Sequence, residues 1–270
     1  MSRRWPKAHG SASRRPTLTT WVLRLGLAII LAVGWFLAAG PGGVSPLILP
    51  AFPDVFRELG EILADPTTWQ DARVTAIEIL IAIAISMLAG FAIGGWIART
   101  PRRTRIFEPI LFWNYVIPHV LFYPLLVLWV GVDMWSKVAY SAWIGVVPMA
   151  IATAGGFRAV AHSQIRLGIA FGASRSQIDR QIKLRAALPM VASGMRITVS
   201  TCVVTVLVAE MLASTHGLGF ELKRNISLYN SAGAMALMLI LLTLVGLINF
   251  GVSAALRMIN HGADLQGRQL

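Results

Sequence analysis

The stretch RAVAHSQIRLGIAFGASRSQIDRQIKLRAALP, residues 158–189, is a polar and basic island in a chain that is otherwise mostly apolar. Residues 160–171 are predicted to form a short helix, which Gly172 can close because glycine adopts the left-handed conformation easily. Residues 174–177, Ser-Arg-Ser-Gln, fit a capping box that opens a second helix, and Pro189 marks the start of the next apolar run. A helical hairpin this small cannot bury its apolar side alone. The sequence therefore predicts that it needs a membrane face or a partner protein.

The rest of the chain has the composition of a polytopic membrane protein. Of its 270 residues, 56% are hydrophobic and only 13% are charged. A helix needs about 20 apolar residues to cross a hydrocarbon core of about 30 Å. Six apolar runs meet that length, so we predict an all-α integral membrane protein. The predicted spans are residues 20–39, 74–98, 110–132, 136–156, 190–213 and 233–256, within a transmembrane domain over 20–257.

The charge distribution predicts the orientation of these spans. A net charge of +12 is compatible with nucleic-acid binding, but the basic residues are unevenly placed. With both termini inside, only five of the 24 Lys and Arg residues fall in outer segments, at 57, 73, 137, 223 and 224. That bias is the positive-inside rule. We therefore predict a cytoplasmic basic arm over 1–19, a cytoplasmic tail over 258–270, and no nucleic-acid partner.

The first outer segment, residues 40–73, has the pattern of an interfacial amphipathic helix. Asp54 is predicted to cap it, and Asp65-Pro66 to end it. The apolar side would consist of Val55, Leu59, Ile62 and Leu63, which recur at helical spacing.

Enzyme signatures are missing from the sequence. None of the four lysines is followed by Ser or Thr, so there is no Walker A motif. The five histidines, at 9, 119, 162, 216 and 261, are scattered over both predicted sides of the membrane, which argues against a metal cluster. The single cysteine, Cys202, lies in an apolar run and is predicted to be a packing residue. The chain is therefore not expected to hydrolyse ATP itself or to bind a cofactor.

The central stretch resembles a known loop. The residues Gly-Ala-Ser-Arg at 172–175, Ile-Lys-Leu at 182–184 and Ala-Ala-Leu-Pro at 186–189 are similar to the cytoplasmic coupling loop of ABC-importer permeases. The similarity is greatest to the nitrate, sulfonate, taurine and bicarbonate branch of binding-protein-dependent type I importers, and extends more weakly over 45–255. Two positions depart from the pattern. Residues 166–168, Arg-Leu-Gly, stand where the family has Glu-Ala-Ala, and Arg185 replaces the first proline of a doublet.

This resemblance implies a fold, partners and a site. The fold would be the six-helix type I permease with a cytoplasmic coupling loop, in a bacterial inner membrane. The partners would be two ATPase subunits that carry ATP and Mg, an extracytoplasmic solute-binding protein, and a second permease copy. A homodimer is usual in the family, and a heterodimer with a sister permease stays open. The solute would be a small anion such as nitrate, a sulfonate, taurine or a related organic acid. The residues expected to contact the ATPase subunit are Arg166, Gly168, Gly172, Ala173, Ser174, Arg175, Gln177, Ile178 and Ile182.

The hairpin has the chemistry for such a contact. Its predicted apolar ridge consists of Ile165, Ile169, Ile178 and Ile182, and its arginines suit an acidic rim on a partner. The alternative for the arginines is positive charge that faces the lipid headgroups.

Polar residues inside the predicted spans are candidates for the translocation path. Asn114 and His119 lie near Pro118 and Pro124, whose freed carbonyls must be satisfied by neighbours or line a cavity. Thr198, Thr201 and Thr205 share one helical face with Gly194, which predicts either a pore wall or a close helix–helix seam.

Two carboxylates near the outer ends of spans add to these candidates. Glu210 is either a path residue or the partner of Arg224 or Lys223. Glu78 is either a path residue or a structural residue that snorkels to the outer surface or pairs with Arg73.

The competing functional class is a gradient-driven secondary transporter or channel. Such proteins often carry internal repeats or paired broken helices, and the sequence shows neither. An intramembrane enzyme is a third possibility, which the missing catalytic motifs disfavour.

Overall fold

The computed structural model describes residues 18–40 and 43–267, and every regular element in that part of the chain is a helix. The all-α prediction is confirmed. A 3₁₀ turn at His119–Phe122 precedes α5, and a π-helical segment at Ile178–Lys183 joins α8 to α9. The helices are α1 Leu18–Ala38, α2 Phe52–Ala64, α3 Pro66–Ala98, α4 Pro101–Val116, α5 Tyr123–Val130, α6 Met134–Arg158, α7 His162–Ala170, α8 Arg175–Gln177, α9 Leu184–Leu212, α10 Leu218–Ser227 and α11 Ser231–Gly267. The predicted arm over 1–19 lies almost wholly outside the described residues, as does the end of the predicted tail.

Helix α6 is the centre of the bundle and packs most extensively against α3 and α9. Small residues permit the close approach. On α3 they recur every fourth residue as Ser86, Gly90 and Gly94, and a Cβ added to Gly90 would lie 2.8 Å from the carbonyl oxygen of Val146. At Gly145 all three helices meet, because an added Cβ would lie 2.5 Å from Ser86 Oγ and 2.6 Å from Cys202 Sγ. This small-residue seam is typical of membrane helices. The packing role predicted for Cys202 is confirmed by its full burial.

Four continuous helices are long and apolar enough to cross a membrane: Pro66–Ala98, Met134–Arg158, Arg175–Leu212 and Ser231–Ala254. The third predicted span, residues 110–132, is not one straight helix. It forms part of the pair Pro101–Val116 and His119–Val130, which is bent by 79° at a break that contains Pro118. The described residues thus supply four spans, or five with the bent pair, against the six predicted. The remaining predicted span corresponds to α1, whose described apolar part Val22–Ala38 is shorter.

The bundle has two chemically different ends. Helices α3 and α6 run in the same direction and α9 runs opposite to them, as the contacts Gly94–Ala150, Glu78–Lys137 and Thr198–Gly145 show. The C-termini of α3 and α6 therefore lie beside α7, α8 and the N-terminus of α9, and we call this side of the bundle the basic end. The N-termini of α3 and α6 lie beside α2, α10 and the C-terminus of α9, and we call this side of the bundle the opposite end.

At the opposite end, α2 begins at Phe52, after Ala51, which makes no side-chain cap. The prediction that Asp54 caps this helix was wrong, since Asp54 lies inside the first turn. Asp65 has the capping role for the next helix instead. Its carboxylate accepts a hydrogen bond from the Thr67 amide at 2.8 Å, and that bond lowers the pKa of Asp65.

Candidate functional site

The hairpin at the basic end is closed by local chemistry, as the sequence predicted. Gly172 has φ of +78°. Its amide donates to the carbonyl of Ile169 at 2.9 Å, and the Ala173 amide donates to that of Gly168 at 3.0 Å. This pair of bonds is the Schellman motif, which satisfies the last carbonyls of α7. The left-handed conformation is the reason that a glycine stands at this position.

The predicted capping box is also confirmed. Ser174 Oγ accepts a hydrogen bond from the Gln177 amide at 3.3 Å, and Gln177 Oε1 accepts one from the Ser174 amide at 2.8 Å. The helix that begins here does not stop at Pro189, however. It continues from Arg175 to Leu212, so Pro189 lies inside a helix, and the span predicted over 190–213 is the later part of that helix. The second arm of the hairpin is therefore a direct extension of a membrane-spanning helix.

No residue of α7 is buried, and the tip of the hairpin is apolar. Phe171 has 87% of its surface exposed, and Leu167 and Ile169 are also exposed. Large apolar side chains held on a small surface hairpin are typical of an interaction site. Arg166 and Arg175 are exposed beside them.

The predicted isoleucine ridge is divided between two roles. Ile178 is buried, and Gly168 lets the two arms of the hairpin approach, because an added Cβ would lie 2.7 Å from Ile182 Cδ1. Ile169 faces outward. The structure thus gathers the predicted coupling residues into one hairpin, where some pack the hairpin itself and others form its surface.

Two ion pairs lie at the basic end, one between bundle helices and one within the hairpin. Arg158, at the end of α6, contacts Glu108 of α4 at 2.6 Å. Within the hairpin's second arm, Lys183 contacts Asp179 at 2.7 Å, one turn apart.

The path candidates of the third predicted span lie together at the bend. His119 Nε2 and Asn114 Oδ1 are 3.3 Å apart. The His119 ring is buried against Trp143 of α6, edge to face at 5.2 Å. The break before His119 therefore places the Asn114–His119 pair among apolar side chains.

The hydroxyl face of α9 contacts α6 in this chain. Thr198 donates to the carbonyl of Gly145 at 3.2 Å, and Thr205 Oγ1 lies 2.8 Å from Ser141 Oγ. Thr201 is half-buried beside them. These contacts describe a helix–helix seam, and a pore-lining role for the three threonines stays a prediction.

A buried polar cluster lies at the opposite end, and we call it the outer polar cluster. Its members are the side chains of Asp71, Thr75, Glu78, Lys137 and Glu210, all of which are buried. The partners suggested for the two glutamates were wrong, because Glu78 pairs with Lys137 at 2.5 Å rather than with Arg73, and Arg224 pairs with Glu221. Glu210 accepts a hydrogen bond from Thr75 Oγ1 at 2.7 Å.

This cluster holds the start of α10. Three successive amides donate to it: Gly217 to Asp71 Oδ1 at 2.7 Å, Leu218 to Thr75 Oγ1 at 2.9 Å, and Gly219 to Glu210 Oε2 at 2.7 Å. The first amides of a helix have no partner within it and carry partial positive charge, so acidic acceptors stabilise them. The cluster therefore fixes the loop between α9 and α11 to α3.

Sequence reasoning missed Lys137, Thr75 and Asp71 as members of this cluster. A lysine within the first turn of the apolar helix α6 was a usable signal, because an ionisable group there needs a partner.

The chain is thus a bundle of helices of membrane-spanning length that carries an exposed hairpin at its basic end. The family model described as "Binding-protein-dependent transport system inner membrane component" matches residues 86–264. The chain belongs to this family, and it is therefore a transport permease of the inner membrane, of the ABC-importer type.

Individual relatives agree with this assignment. The taurine transport system permease protein TauC of Escherichia coli is 30% identical over 80% of this chain and 77% of its own length. The formylaminopyrimidine transport permease protein ThiX of Halalkalibacterium halodurans is 27% identical over 82% of this chain and 88% of its own. An inward-facing structure of the MetNI methionine ABC transporter matches the fold with a TM-score of 0.56 at 19% identity, over 80% of this chain and 99% of that one.

Proposed function

We propose that this chain forms the translocation path of an ATP-driven importer, in which two separate ATPase subunits bind the hairpin at the basic end. The observation that carries the proposal is the hairpin itself: α7 has no buried residue, and its tip presents Phe171 to the surroundings. The second arm is continuous with α9, so force applied to the hairpin reaches the bundle directly. The proposed contact residues are the exposed members of the predicted set, Arg166, Gly172, Ser174, Arg175 and Gln177, together with Phe171.

The orientation of the chain across the membrane follows from the same proposal. With the hairpin and its arginines on the cytoplasmic side, the outer polar cluster and α10 lie on the extracytoplasmic side. A solute-binding protein then docks on the outer loops, which the cluster holds in place through residues 217–219. Both termini lie in the cytoplasm.

The transported solute is proposed to be a small anion of the sulfonate or taurine type. The relative named as a taurine permease supports this choice, while the relative named for formylaminopyrimidine shows that similar chains serve other solutes. Candidate path residues are Asn114, His119, the three threonines of α9, and Glu210. Of these, His119 and Asn114 supply polar groups at the bend.

A second permease copy completes the conduit. One bundle of this size is small for enclosing a path, and many large apolar side chains of α3 and α5 are exposed, such as Leu88 and Leu128. We propose a homodimer, with a heterodimer as the competing outcome of a subunit count.

Reconstitution tests the proposal. The chain is co-purified with its ATPase and binding-protein partners and placed in vesicles. Uptake of labelled taurine is then measured with ATP, without ATP, and with an imposed ion gradient. The proposal expects uptake only with ATP and the binding protein. Gradient-driven uptake without an ATPase subunit would establish the secondary-transporter alternative. ATP-driven uptake of a different solute would leave the importer function and refute only the taurine assignment.

A further inference from the structure

Two cavities adjoin at the basic end of the bundle, and we refer to them together as the basal groove. The larger has a volume of about 750 Å³ and lies between the end of α3, the end of α6 and the hairpin. The smaller, about 540 Å³, lies between α3 and α4. Both are lined by Ala92 and Trp96, so the two cavities are adjacent.

The smaller cavity has an apolar wall throughout. Besides Ala92 and Trp96, its lining residues are Ile93, Ile97, Phe107, Ile110 and Leu111. These residues belong to helix segments of membrane composition, which makes the cavity a place for hydrocarbon rather than for a polar solute.

The larger cavity is basic. Its lining includes four cationic side chains, Arg99, Arg175, Arg180 and Lys183, and one carboxylate, Asp179. That carboxylate is already paired with Lys183. Within the described part of the chain, no carboxylate lies in ion-pair distance of the three arginines. Three unpaired guanidinium groups around a cavity favour an anion, because guanidinium matches phosphate geometry with paired hydrogen bonds.

Trp96 marks the level at which the two cavities meet. The Arg103 guanidinium lies 4.5 Å above its ring, and Phe107 packs edge to face against it at 5.1 Å. Tryptophan is enriched at the boundary between hydrocarbon and headgroups. In the orientation proposed above, a Trp96 at that boundary would place the basic cavity at headgroup depth and the apolar cavity beside it in the hydrocarbon.

We propose that the basal groove binds one anionic phospholipid, with the phosphate headgroup between Arg99 and Arg180 and an acyl chain in the apolar cavity. Basic pockets between membrane helices on the cytoplasmic side are suited to this ligand. Because the groove includes hairpin residues on one wall and α3 on the other, the lipid would tie the hairpin to the bundle. This inference uses the orientation given under the proposed function.

The test measures lipid retention on the purified full chain, without solute and with and without its ATPase subunits. Native mass spectrometry counts phosphatidylglycerol and phosphatidylcholine bound after titration with each lipid. The double variant Arg99→Gln/Arg180→Gln is compared with the control Arg102→Gln/Arg105→Gln, which removes the same charge from exposed residues outside both cavities. Equal melting temperatures in detergent establish that the two variants are equally folded.

We expect the natural chain to retain phosphatidylglycerol in preference to phosphatidylcholine. The double variant should lose affinity for phosphatidylglycerol on the order of tenfold, while the control stays within about twofold. A filling variant, Ala92→Trp, should also release the lipid, because the larger side chain occupies space at the wall that both cavities share.

Three results would overturn the assignment. The first is equal retention of phosphatidylglycerol by the double variant and its control. The second is binding of soluble glycerol phosphate as tightly as the lipid, which would make this a free-anion site. The third is loss of the lipid when the ATPase subunits bind, which would make the groove part of that interface. Since no transport is measured, failure here is distinct from failure of the importer proposal.

Discussion

Lys137 Nζ lies 2.5 Å from Glu78 Oε1, and both side chains are buried where α6 crosses α3. The contact is an ion pair rather than a well-formed hydrogen bond, since neither oxygen of Glu78 has a hydrogen-bond partner of good geometry. Glu210 lies close enough to interact with both groups. Two buried carboxyl groups thus lie close to a single buried ammonium group.

The first prediction concerns that ammonium group. Lys137→Met should destabilise the chain by about 3–5 kcal/mol, because removal of one partner leaves a buried charge uncompensated. Thermal unfolding in detergent measures the effect. The double variant Lys137→Met/Glu78→Gln should recover much of the loss. The control is Lys223→Met at an exposed position, where little change is expected. A Lys137→Met protein as stable as the natural chain would contradict the buried pair.

The second prediction concerns Thr75 of α3, whose hydroxyl bonds to both α9 and α10. Thr75→Val keeps the side chain's shape but removes the donor to Glu210 and the acceptor for the Leu218 amide. Each buried group left unsatisfied costs about 1–3 kcal/mol. Hydrogen exchange of residues 217–228 should therefore speed up, while exchange in the middle of α6 stays slow. The matched control is Thr243→Val, since that exposed hydroxyl bonds only within its own helix. Equal exchange in both variants would refute the anchoring role.

The third prediction tests the seam at the centre of the bundle. Gly145→Ala should destabilise the chain by about 1–3 kcal/mol, because the added methyl overlaps Ser86 and Cys202. Gly95→Ala is the matched control, since its added methyl meets only Phe157, at 3.8 Å. Unfolding midpoints of the two variants measure the difference. If the unfolding midpoint of Gly145→Ala equals or exceeds that of Gly95→Ala, the three helices do not meet as described.

The fourth prediction separates backbone conformation from bulk at Gly172. A β-branched residue in the left-handed conformation is strained by about 1–2 kcal/mol, whereas asparagine tolerates it. No atom lies near an added Cβ here, so strain is the only penalty. Gly172→Val should therefore lower retention of the ATPase subunits about five- to thirtyfold, and Gly172→Asn much less. Equal retention by the two variants would show that the hairpin closure does not matter for that contact.

The hairpin could be predicted from sequence because its chemistry is local. Gly172, Ser174 and Gln177 interact with residues within five positions of themselves, so the pattern alone specifies the closure and the cap. The apolar runs likewise identify the membrane helices, since a span depends only on length and composition.

The outer polar cluster could not be predicted in the same way. Thr75 and Glu210 are 135 residues apart, and nothing in either neighbourhood names the other as its partner. Arg73 and Arg224 were nearer in sequence to the two glutamates and were chosen for that reason. The bend after α4 could be predicted from the sequence only in part. Pro118 signals a break, but the 79° angle depends on packing against α6.

The repeat of Ser86, Gly90 and Gly94 is a signal in the sequence for the close contact between α3 and α6. Small residues four apart on a membrane helix indicate a close helix–helix contact. The equivalent stripe on α9 was recognised, yet its hydroxyl groups were weighed as a pore wall as well as a seam. In the folded chain, Thr198 and Thr205 both bond to α6.

The central claim is that the hairpin at the basic end contacts an ATPase subunit, and cysteine crosslinking tests it most directly. Cys202 is fully buried, so a cysteine introduced by Phe171→Cys is the accessible thiol among the described residues. In vesicles with the assembled partners, a short thiol-to-amine crosslinker should join position 171 to the ATPase subunit. A control cysteine at the opposite end, by Tyr229→Cys, should not be joined. The account predicts a crosslink from 171 whose yield changes with ATP. ATP-driven uptake with no crosslink from 171, or an equal crosslink from 229, would contradict it.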